Sequence, residues 1–417
     1  MDDDSGKEAR WKIVGPGLVV AATGVGAADM VATLAAGSRY GYGLLWALVL
    51  GVILKIILVE GAGRYTLATG YTIFEGWRKL GRWTTWYFGP YIIIWGFVYG
   101  ASAMSSTALP LAALFPGIPL RVWAVLMGLL GFVMVWFNRY AVFEKVTAAL
   151  VGIMFVTIVS LAAIAVPNVP EMATGLVPII PEGGLLYTLA LAGGVGGTIT
   201  LAAYGYWLRE KGWYTPKWMR VMRIDNSVAY VLTGIFVISM LIVGAEVVRS
   251  AGVAVGAGDK GLLDLNVVLK AEYGDVIGTM FLVGFWAAAF SSIIGVWNGV
   301  SLMFADFWGN MRGVGSDHPD ARIGGKYFKF YLIWLTFPPM ALLFLDRPIG
   351  LVLAYGVLGS LFMPFLALTL LGLLNGRWIP REWANRLHTN IALGITALLF
   401  LVLGVNQLWN SLQDVLG

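Results

Sequence analysis

Long apolar stretches, separated by short polar connections, run along the whole chain. A helix needs roughly 20 apolar residues to cross the hydrocarbon core of a bilayer. Stretches that meet this length lie at 12–36, 43–64, 87–110, 119–138, 145–166, 183–207, 225–247, 275–305, 328–345, 349–374 and 388–412. The pattern therefore predicts an all-α polytopic membrane protein with 11 transmembrane helices.

The composition agrees with this class. Of the 417 residues, 59% are hydrophobic and 12% are charged, and the mean hydropathy is +0.79. A soluble chain of this length would carry far more charge. The absence of cysteine excludes disulfides and thiolate metal sites. The two histidines, His318 and His388, fall in or beside polar connections.

The distribution of Lys and Arg predicts the orientation in the membrane. With a cytoplasmic N-terminus, the tail and the loops after even-numbered spans carry 21 of these residues, and the other loops carry 6. Cytoplasmic loops are the ones enriched in Lys and Arg. We therefore expect a multi-pass protein of the cell membrane (plasma or inner membrane), with a cytoplasmic tail at 1–11 and the C-terminus outside. The net charge of +5 fits this bias, and we expect the lipid bilayer and no nucleic acid as a partner.

Two glycine-rich stretches occupy matching positions in the first and sixth spans. They read "TGVGAAD" and "GGVGGTIT" (193–200). Since five spans separate them, a duplicated five-span unit would be inverted relative to its copy, as in transporters whose first repeat helices are broken at the substrate site. This predicts a first repeat at 12–166, an inverted repeat at 183–374 and an additional helix at 388–412. Tight helix packing through small residues is the alternative reading of the glycines.

Several motifs carry a family resemblance. "GPGLVVAATGVGAADMVATLAAGSRYGYGLLW" (15–46) with "GRYTLATG" (63–70) resembles the opening of NRAMP-type divalent-metal transporters. "SSIIGVWNGVSLMFADF" (291–307) resembles their eighth span, and "LGSLFMPFLALTLL" (358–371) resembles their tenth. The resemblance implies a LeuT-type fold in which spans 1–5 and 6–10 form inverted repeats and helices 1 and 6 are broken.

The metal-site motifs of that family are replaced. Its first-span Asp-Pro-Gly-Asn falls on Gly26, Ala27, Ala28 and Asp29, so a carboxylate stands at the place of the asparagine. Its sixth-span Met-Pro-His falls near Thr200, Leu201 and Ala202, and its tenth-span glutamine falls on Phe362.

These replacements predict an oxygen-only site. The candidate substrate-binding residues are Thr23, Gly24, Gly26, Asp29, Gly196, Gly197, Thr198 and Thr200, with Asp29 and Thr200 as metal ligands. Without a soft thioether ligand, a hard and partly hydrated cation such as Mg²⁺ is favoured, and Mn²⁺ is the other possibility. No cofactor is expected. Because no span interior contains histidine, we also expect transport that is not coupled to protons.

Other polar residues inside the spans each have two readings. Lys55, in span 2, is a candidate charge partner of Asp29 or a structural tie to carbonyls at a helix break. Glu60 stands four residues before Arg64, which favours an ordinary ion pair over a gating role. Ser291 and Asn298 in span 8 either bond to neighbouring helices or line the pathway. Asp306, near the end of that span, is expected to be solvated or paired with an arginine of a loop.

Two functions remain open at this point. The first is an alternating-access transporter of divalent cations. The second is a LeuT-type transporter of an organic solute such as an amino acid, because the exposed N-termini of broken helices attract carboxylates and Asp29 could receive an amine. No arrangement of nucleophile and base suggests an enzyme.

Overall fold

The computed structural model describes residues 15–137, 140–194, 196–249, 260–345 and 348–416, and within these ranges the chain is helical without strands. The predicted tail at 1–11 lies outside the described residues. The helices of the first half are α1 (Pro16–Gly24), α2 (Ala27–Tyr40), α3 (Leu45–Thr69), α4 (Ile73–Leu80), α5 (Arg82–Leu114), α6 (Leu120–Phe137), α7 (Tyr140–Ile164) and α8 (Val169–Thr174). Those of the second half are α9 (Leu185–Gly194), α10 (Thr200–Glu210), α11 (Met219–Val243), α12 (Lys260–Tyr273), α13 (Asp275–Met311), α14 (Lys326–Met340), α15 (Pro348–Asn375) and α16 (Leu387–Leu416).

The helices agree with the predicted membrane class. In the described part of the chain, 8 helices are long and apolar enough to cross a bilayer, and the bent pair α1–α2 raises this number to 9. The two other predicted spans coincide with the pair α9–α10 and with α15. The all-α membrane fold is therefore confirmed, and the helices of spans 1 and 6 are interrupted at the glycine-rich stretches.

Several helices are longer than the apolar stretches that predicted them. The span expected at 275–305 is the 37-residue helix α13, and the span expected at 87–110 is the 33-residue helix α5. At 1.5 Å per residue, α13 is about 55 Å long, against a hydrocarbon core of about 30 Å. Hydropathy marks the part of a helix that lies in lipid, and the polar turns beyond it continue the same helix.

Helix α4 lies in a segment that was expected to be a connection. The Thr72 hydroxyl accepts a hydrogen bond from the Glu75 amide, and the Glu75 carboxylate accepts one from the Thr72 amide at 2.8 Å. This reciprocal capping box starts the helix. Ile73, Phe74 and Trp77 then bury its apolar face against the bundle.

Helix α13 runs through the middle of the bundle. It packs against α7, α5, α14, α1 and α10. Helix α3 contacts α11, α10, α9 and α15, so it borders the second interrupted pair along its length. Contacts between α1 and α10 and between α2 and α9 bring the two interrupted pairs together inside the bundle.

Candidate substrate site at two helix breaks

The first break separates α1 from α2. Helix α1 ends at Gly24, Val25 and Gly26 are not helical, and the two helices meet at an angle of 60°. Asp29 lies in the first turn of α2, where its Oδ2 accepts a hydrogen bond from the Gly26 amide at 3.0 Å. A carboxylate at this position satisfies an amide that has no partner within the helix and interacts favourably with the positive end of the helix dipole.

The second break separates α9 from α10. Gly196 has a φ of +94° and Gly197 a φ of +101°, a region of backbone conformation that side chains rarely allow. The Tyr230 hydroxyl donates a hydrogen bond to the Gly196 carbonyl at 3.1 Å. The glycines of this stretch are therefore required for a break in the helix, and the break exposes carbonyl groups to neighbouring side chains.

The two breaks touch through their backbones. A Cβ atom on Gly24 would lie 2.8 Å from the Gly197 nitrogen and closer still to the Gly196 carbonyl. A Cβ atom on Gly197 would lie 2.9 Å from the Gly24 Cα. Glycine at 24 and 197 thus permits an approach that a side chain at either position would prevent.

The threonines that were predicted to bind substrate surround this contact. Thr23 and Thr200 are buried, and Thr198 is partly buried beside Gly359 of α15. The Thr23 hydroxyl donates to the carbonyls of Val19 at 2.8 Å and Val20 at 2.9 Å, so its proton is used within α1. Thr23 could therefore bind a cation through the lone pairs of its hydroxyl oxygen.

Lys55 reaches the second break and not Asp29. Its Nζ donates a hydrogen bond of 2.6 Å to the Gly197 carbonyl, and the side chain is 1% exposed. Asp29 acts on this ammonium through space, and among the described residues no carboxylate lies within ion-pair distance of it. The direct pair that the sequence offered for Lys55 is not formed, and its ammonium donates instead to the Gly197 carbonyl at the second break.

Two serines of α13 hold the end of α1. Ser292 Oγ donates to the Thr23 carbonyl at 3.1 Å and shares a hydrogen bond of 2.9 Å with the Tyr99 hydroxyl. Ser291 Oγ donates to the Ala288 carbonyl of its own helix at 2.9 Å and also lies 3.4 Å from the Ala22 carbonyl of α1. The serines thus fix the carbonyl end of α1 at the first break.

Asn298 and Glu60 lie away from the breaks. Asn298 Oδ1 accepts a hydrogen bond of 2.8 Å from the Trp207 indole of α10. Glu60 pairs with Arg64 at 3.1 Å and with Arg223 at 3.0 Å, which ties α3 to α11. In the described part of the chain, both side chains link neighbouring helices, and neither forms a hydrogen bond with a residue of the two breaks.

Asp306 is buried, and the expectation of a solvated or arginine-paired carboxylate is wrong. It is 2% exposed and accepts hydrogen bonds from the Tyr206 hydroxyl at 2.6 Å and from Asn310 Nδ2 at 2.7 Å. A cavity of about 630 Å³ lies beside it and Tyr206, and none of its lining residues belongs to the two breaks. This cavity is therefore separate from the candidate site.

Met363 was missed by sequence reasoning, although it adjoins Phe362. Phe362 stacks on Tyr91 with 5.5 Å between ring centroids, whereas the Met363 sulfur lies 3.9 Å from Lys55 Nζ. Successive helical residues point about 100° apart, so one of the two faces an aromatic cluster and the other faces the lysine at the second break. A thioether therefore lies next to a site that was expected to contain oxygen alone. Phe362, where the resemblance places the tenth-span glutamine, is therefore the chain neighbour of the residue of α15 that adjoins Lys55.

Asp225 was also missed, at the start of α11. Its carboxylate accepts hydrogen bonds from the amides of Gly15 at 2.7 Å and Gly17 at 2.6 Å, and from the Tyr204 hydroxyl at 2.8 Å. It caps the N-terminus of α1 from another helix. Because Gly15 and Gly17 lie more than 200 positions before Asp225, no local capping motif in the sequence predicts this cap.

The described residues include no group of three or more His, Cys, Asp or Glu side chains that could hold a metal ion. A cation at the breaks would therefore be bound by the Asp29 carboxylate, backbone carbonyls, hydroxyl oxygens and retained water. Such a ligand set suits a cation that passes through and keeps part of its hydration.

Comparison with known proteins identifies similar chains. The model of the family described as natural resistance-associated macrophage protein-like matches residues 17–410. The divalent metal cation transporter MntH of Chromohalobacter salexigens is 26% identical over 320 residues, which cover 72% of each chain. MntH of Bacillus subtilis is 24% identical over 303 residues, which cover 67% of each chain.

Solved structures share the fold. A manganese transporter of Eremococcus coleocola, in complex with an aromatic bis-isothiourea substituted compound, superposes with a TM-score of 0.79 at 16% identity. The match covers 96% of this chain and 88% of that one. MhsT in complex with L-phenylalanine superposes with a TM-score of 0.58 at 14% identity, covering 94% of this chain and 98% of that one.

Proposed function

Since this chain belongs to the natural resistance-associated macrophage protein-like (Nramp) family, we propose that it carries a divalent metal cation across the membrane by alternating access. The family is one of transporters, and the chain is not an enzyme. We further propose that the cation is hard and partly hydrated, with Mg²⁺ preferred over Mn²⁺, and that its passage is not coupled to protons.

The position of Asp29 is the observation that carries this proposal. Its Oδ2 caps α2, and in the described part of the chain its Oδ1 has no hydrogen-bond partner. The side chain is partly buried in the first turn of α2, and the end of α1 just before it contacts Gly196 and Gly197 of the second break. A carboxylate with one free oxygen, at a break that also leaves backbone carbonyls unpaired, suits a divalent cation that retains several waters.

The preference for Mg²⁺ follows from which ligands are free. Oxygen ligands suit Mg²⁺, whereas a thioether favours softer transition metals. The thioether of Met363 contacts the Lys55 ammonium, so it is engaged elsewhere in this conformation. The remaining donors near Asp29 are oxygen atoms.

The absence of histidine from the breaks supports uncoupled transport. His318 contacts the Asp320 amide in a turn outside the spans, and His388 lies in the first turn of α16. Neither lies near Asp29, so the side chain that most readily exchanges protons near neutral pH is missing from the site.

Uptake into liposomes that contain the purified chain tests the proposal. We expect saturable Mg²⁺ uptake that exceeds Mn²⁺ uptake at equal concentration, and an apparent affinity lowered roughly tenfold or more in Asp29→Asn, because a neutral amide attracts the ion less than a carboxylate. Asp275→Asn, an exposed carboxylate of α13, is the matched control and should transport normally. A dye for internal pH should show no metal-driven acidification. Mn²⁺ uptake with acidification would contradict both the preference and the uncoupled passage.

One feature keeps an organic solute as a second candidate. The N-terminus of α10 has no side-chain cap, so its amides could bind a carboxylate at the second break. By contrast, the N-terminus of α2 is already capped by Asp29. Uptake of a panel of radiolabelled amino acids, in the same liposomes and without metal flux, would favour this candidate over the first.

A further inference from the structure

Building on the proposed function, we propose that Lys55 determines metal selectivity. Its ammonium contacts the Gly197 carbonyl oxygen and the Met363 sulfur, which could otherwise bind a softer metal ion. The ligands that remain for the transported cation are then oxygen atoms alone. Removing the ammonium should therefore change which metal the protein prefers, and not only how tightly it binds.

The surroundings of Lys55 Nζ are those of a bound cation. The Gly197 carbonyl accepts at 2.6 Å, the Met363 sulfur lies at 3.9 Å, and the Phe400 ring faces the nitrogen with its centroid at 5.0 Å. An ammonium has three N–H groups, and these three contacts come from three separate parts of the bundle. The aromatic face adds a cation–π attraction.

None of these contacts is a carboxylate. In the described part of the chain, Asp29 is the carboxylate that interacts electrostatically with the ammonium, and it does so from beyond contact distance. The lysine therefore acts as a resident positive charge at the second break. It neutralises part of the attraction that Asp29 exerts on a mobile cation.

Loss of the ammonium has two separable consequences. First, the repulsion between Lys55 and any mobile cation disappears, which raises the affinity for Mg²⁺ and Mn²⁺ alike. Second, the Gly197 carbonyl and the Met363 thioether become free. The carbonyl oxygen suits both ions, whereas the sulfur donor favours transition metals, so the part of the gain that comes from the thioether should be confined to Mn²⁺.

Two variants separate these effects. Lys55→Leu removes the charge and keeps an apolar side chain, and the double variant Lys55→Leu with Met363→Leu removes the thioether as well. Equilibrium binding of Mg²⁺ and of Mn²⁺ to the purified full chain is measured by calorimetry. Lys55→Arg, which retains the charge, is the matched control.

In Lys55→Leu we expect a roughly tenfold gain in Mg²⁺ affinity and a gain for Mn²⁺ that is larger by roughly a further tenfold. In the double variant, we expect the two gains to become equal. Lys55→Arg should keep the preference of the unchanged protein. A purely structural role of Lys55 would not make the gain in affinity differ between Mg²⁺ and Mn²⁺.

Equal gains for both metals in Lys55→Leu, or a Mn²⁺-specific gain that persists in the double variant, would overturn the inference. The thermal midpoint of each variant is recorded first, and if Lys55→Leu does not fold, Lys55→Gln is used because its amide can still donate to the Gly197 carbonyl. Failure of the proposed function is distinguishable, since it would appear as an absence of Mg²⁺ and Mn²⁺ uptake by the unchanged protein.

Discussion

Individual glycines at the breaks matter for different physical reasons. At Gly197 the backbone has a positive φ, and the nearest atom to an added side chain would be the Gly24 Cα. At Gly24 the constraint is close approach alone. The sequence contains 54 glycines. Only the structure distinguishes the glycines that allow a positive φ from those that allow two chain segments to approach closely.

Gly197→Ala tests this constraint. We expect a loss of about 1–3 kcal/mol of stability, since a side chain would be strained at that φ and would press on the first break. The measurement is the thermal midpoint in detergent together with Mg²⁺ uptake. Gly152→Ala is the control, because a Cβ there meets open space on α7, and it should leave both quantities unchanged. An unaltered midpoint in Gly197→Ala would contradict the assigned strain.

The sequence could predict which residues lie at the breaks, but not what they contact. Asp29 was identified because a carboxylate is rare inside a span, and the two glycine stretches because they occupy matching positions in the first and sixth spans. The partner of Lys55 is a backbone carbonyl at the second break, and the sequence does not show where a carbonyl points in an interrupted helix. Met363 was missed because the sequence does not show which face of α15 is turned toward Lys55, and successive helical side chains point about 100° apart.

At the scale of elements, capping links helices that are far apart in the chain. Asp225 on α11 accepts the amides of Gly15 and Gly17, so the first turn of α1 is held by a buried carboxylate. Such a cap also interacts favourably with the positive end of the α1 dipole. The position of α1 therefore depends on α11.

Asp225→Asn should loosen the start of α1. We expect a cost of about 1–2 kcal/mol, because the amide loses the charge-assisted bonds to two backbone amides. Hydrogen exchange followed by mass spectrometry should show faster exchange over residues 15–20, with α7 unchanged. Exchange that speeds up equally in all helices would indicate general destabilisation and contradict a local role. Tyr204→Phe, which removes a neutral donor to the same carboxylate, should have a smaller effect.

Helix ends were harder to predict than helices. The break positions follow from glycine, but α4 and the polar turns of α5 and α13 lie outside the apolar stretches. The Thr72 and Glu75 capping box was readable in the sequence as Thr-x-x-Glu, and it predicts the start of α4. The burial of Asp306 was not readable, because it arises from contact with Tyr206, 100 positions earlier.

At the scale of the whole molecule, the distribution of Lys and Arg predicts the direction in which the bundle is inserted. The loop between α8 and α9 is expected outside, and the loop after α13 is expected in the cytoplasm. The chain has no cysteine, so a single introduced cysteine reports its own location without background.

Single cysteines at two exposed loop positions test the orientation. With a membrane-impermeant maleimide on intact cells, we expect Glu182→Cys to be labelled and Arg312→Cys to remain unlabelled until the membrane is permeabilised. Both side chains are exposed, so access through the membrane and not burial decides the result. The reverse pattern would place the N-terminus outside.

The backbone contact between Gly24 and Gly197 also limits where an ion can travel. Two main chains that touch without side chains between them leave no opening at the point of contact. If the chain carries a cation as proposed, we expect the ion to pass beside this junction, on the side of the Asp29 carboxylate. We expect a narrow, one-sided route in which every cation passes the same acidic group.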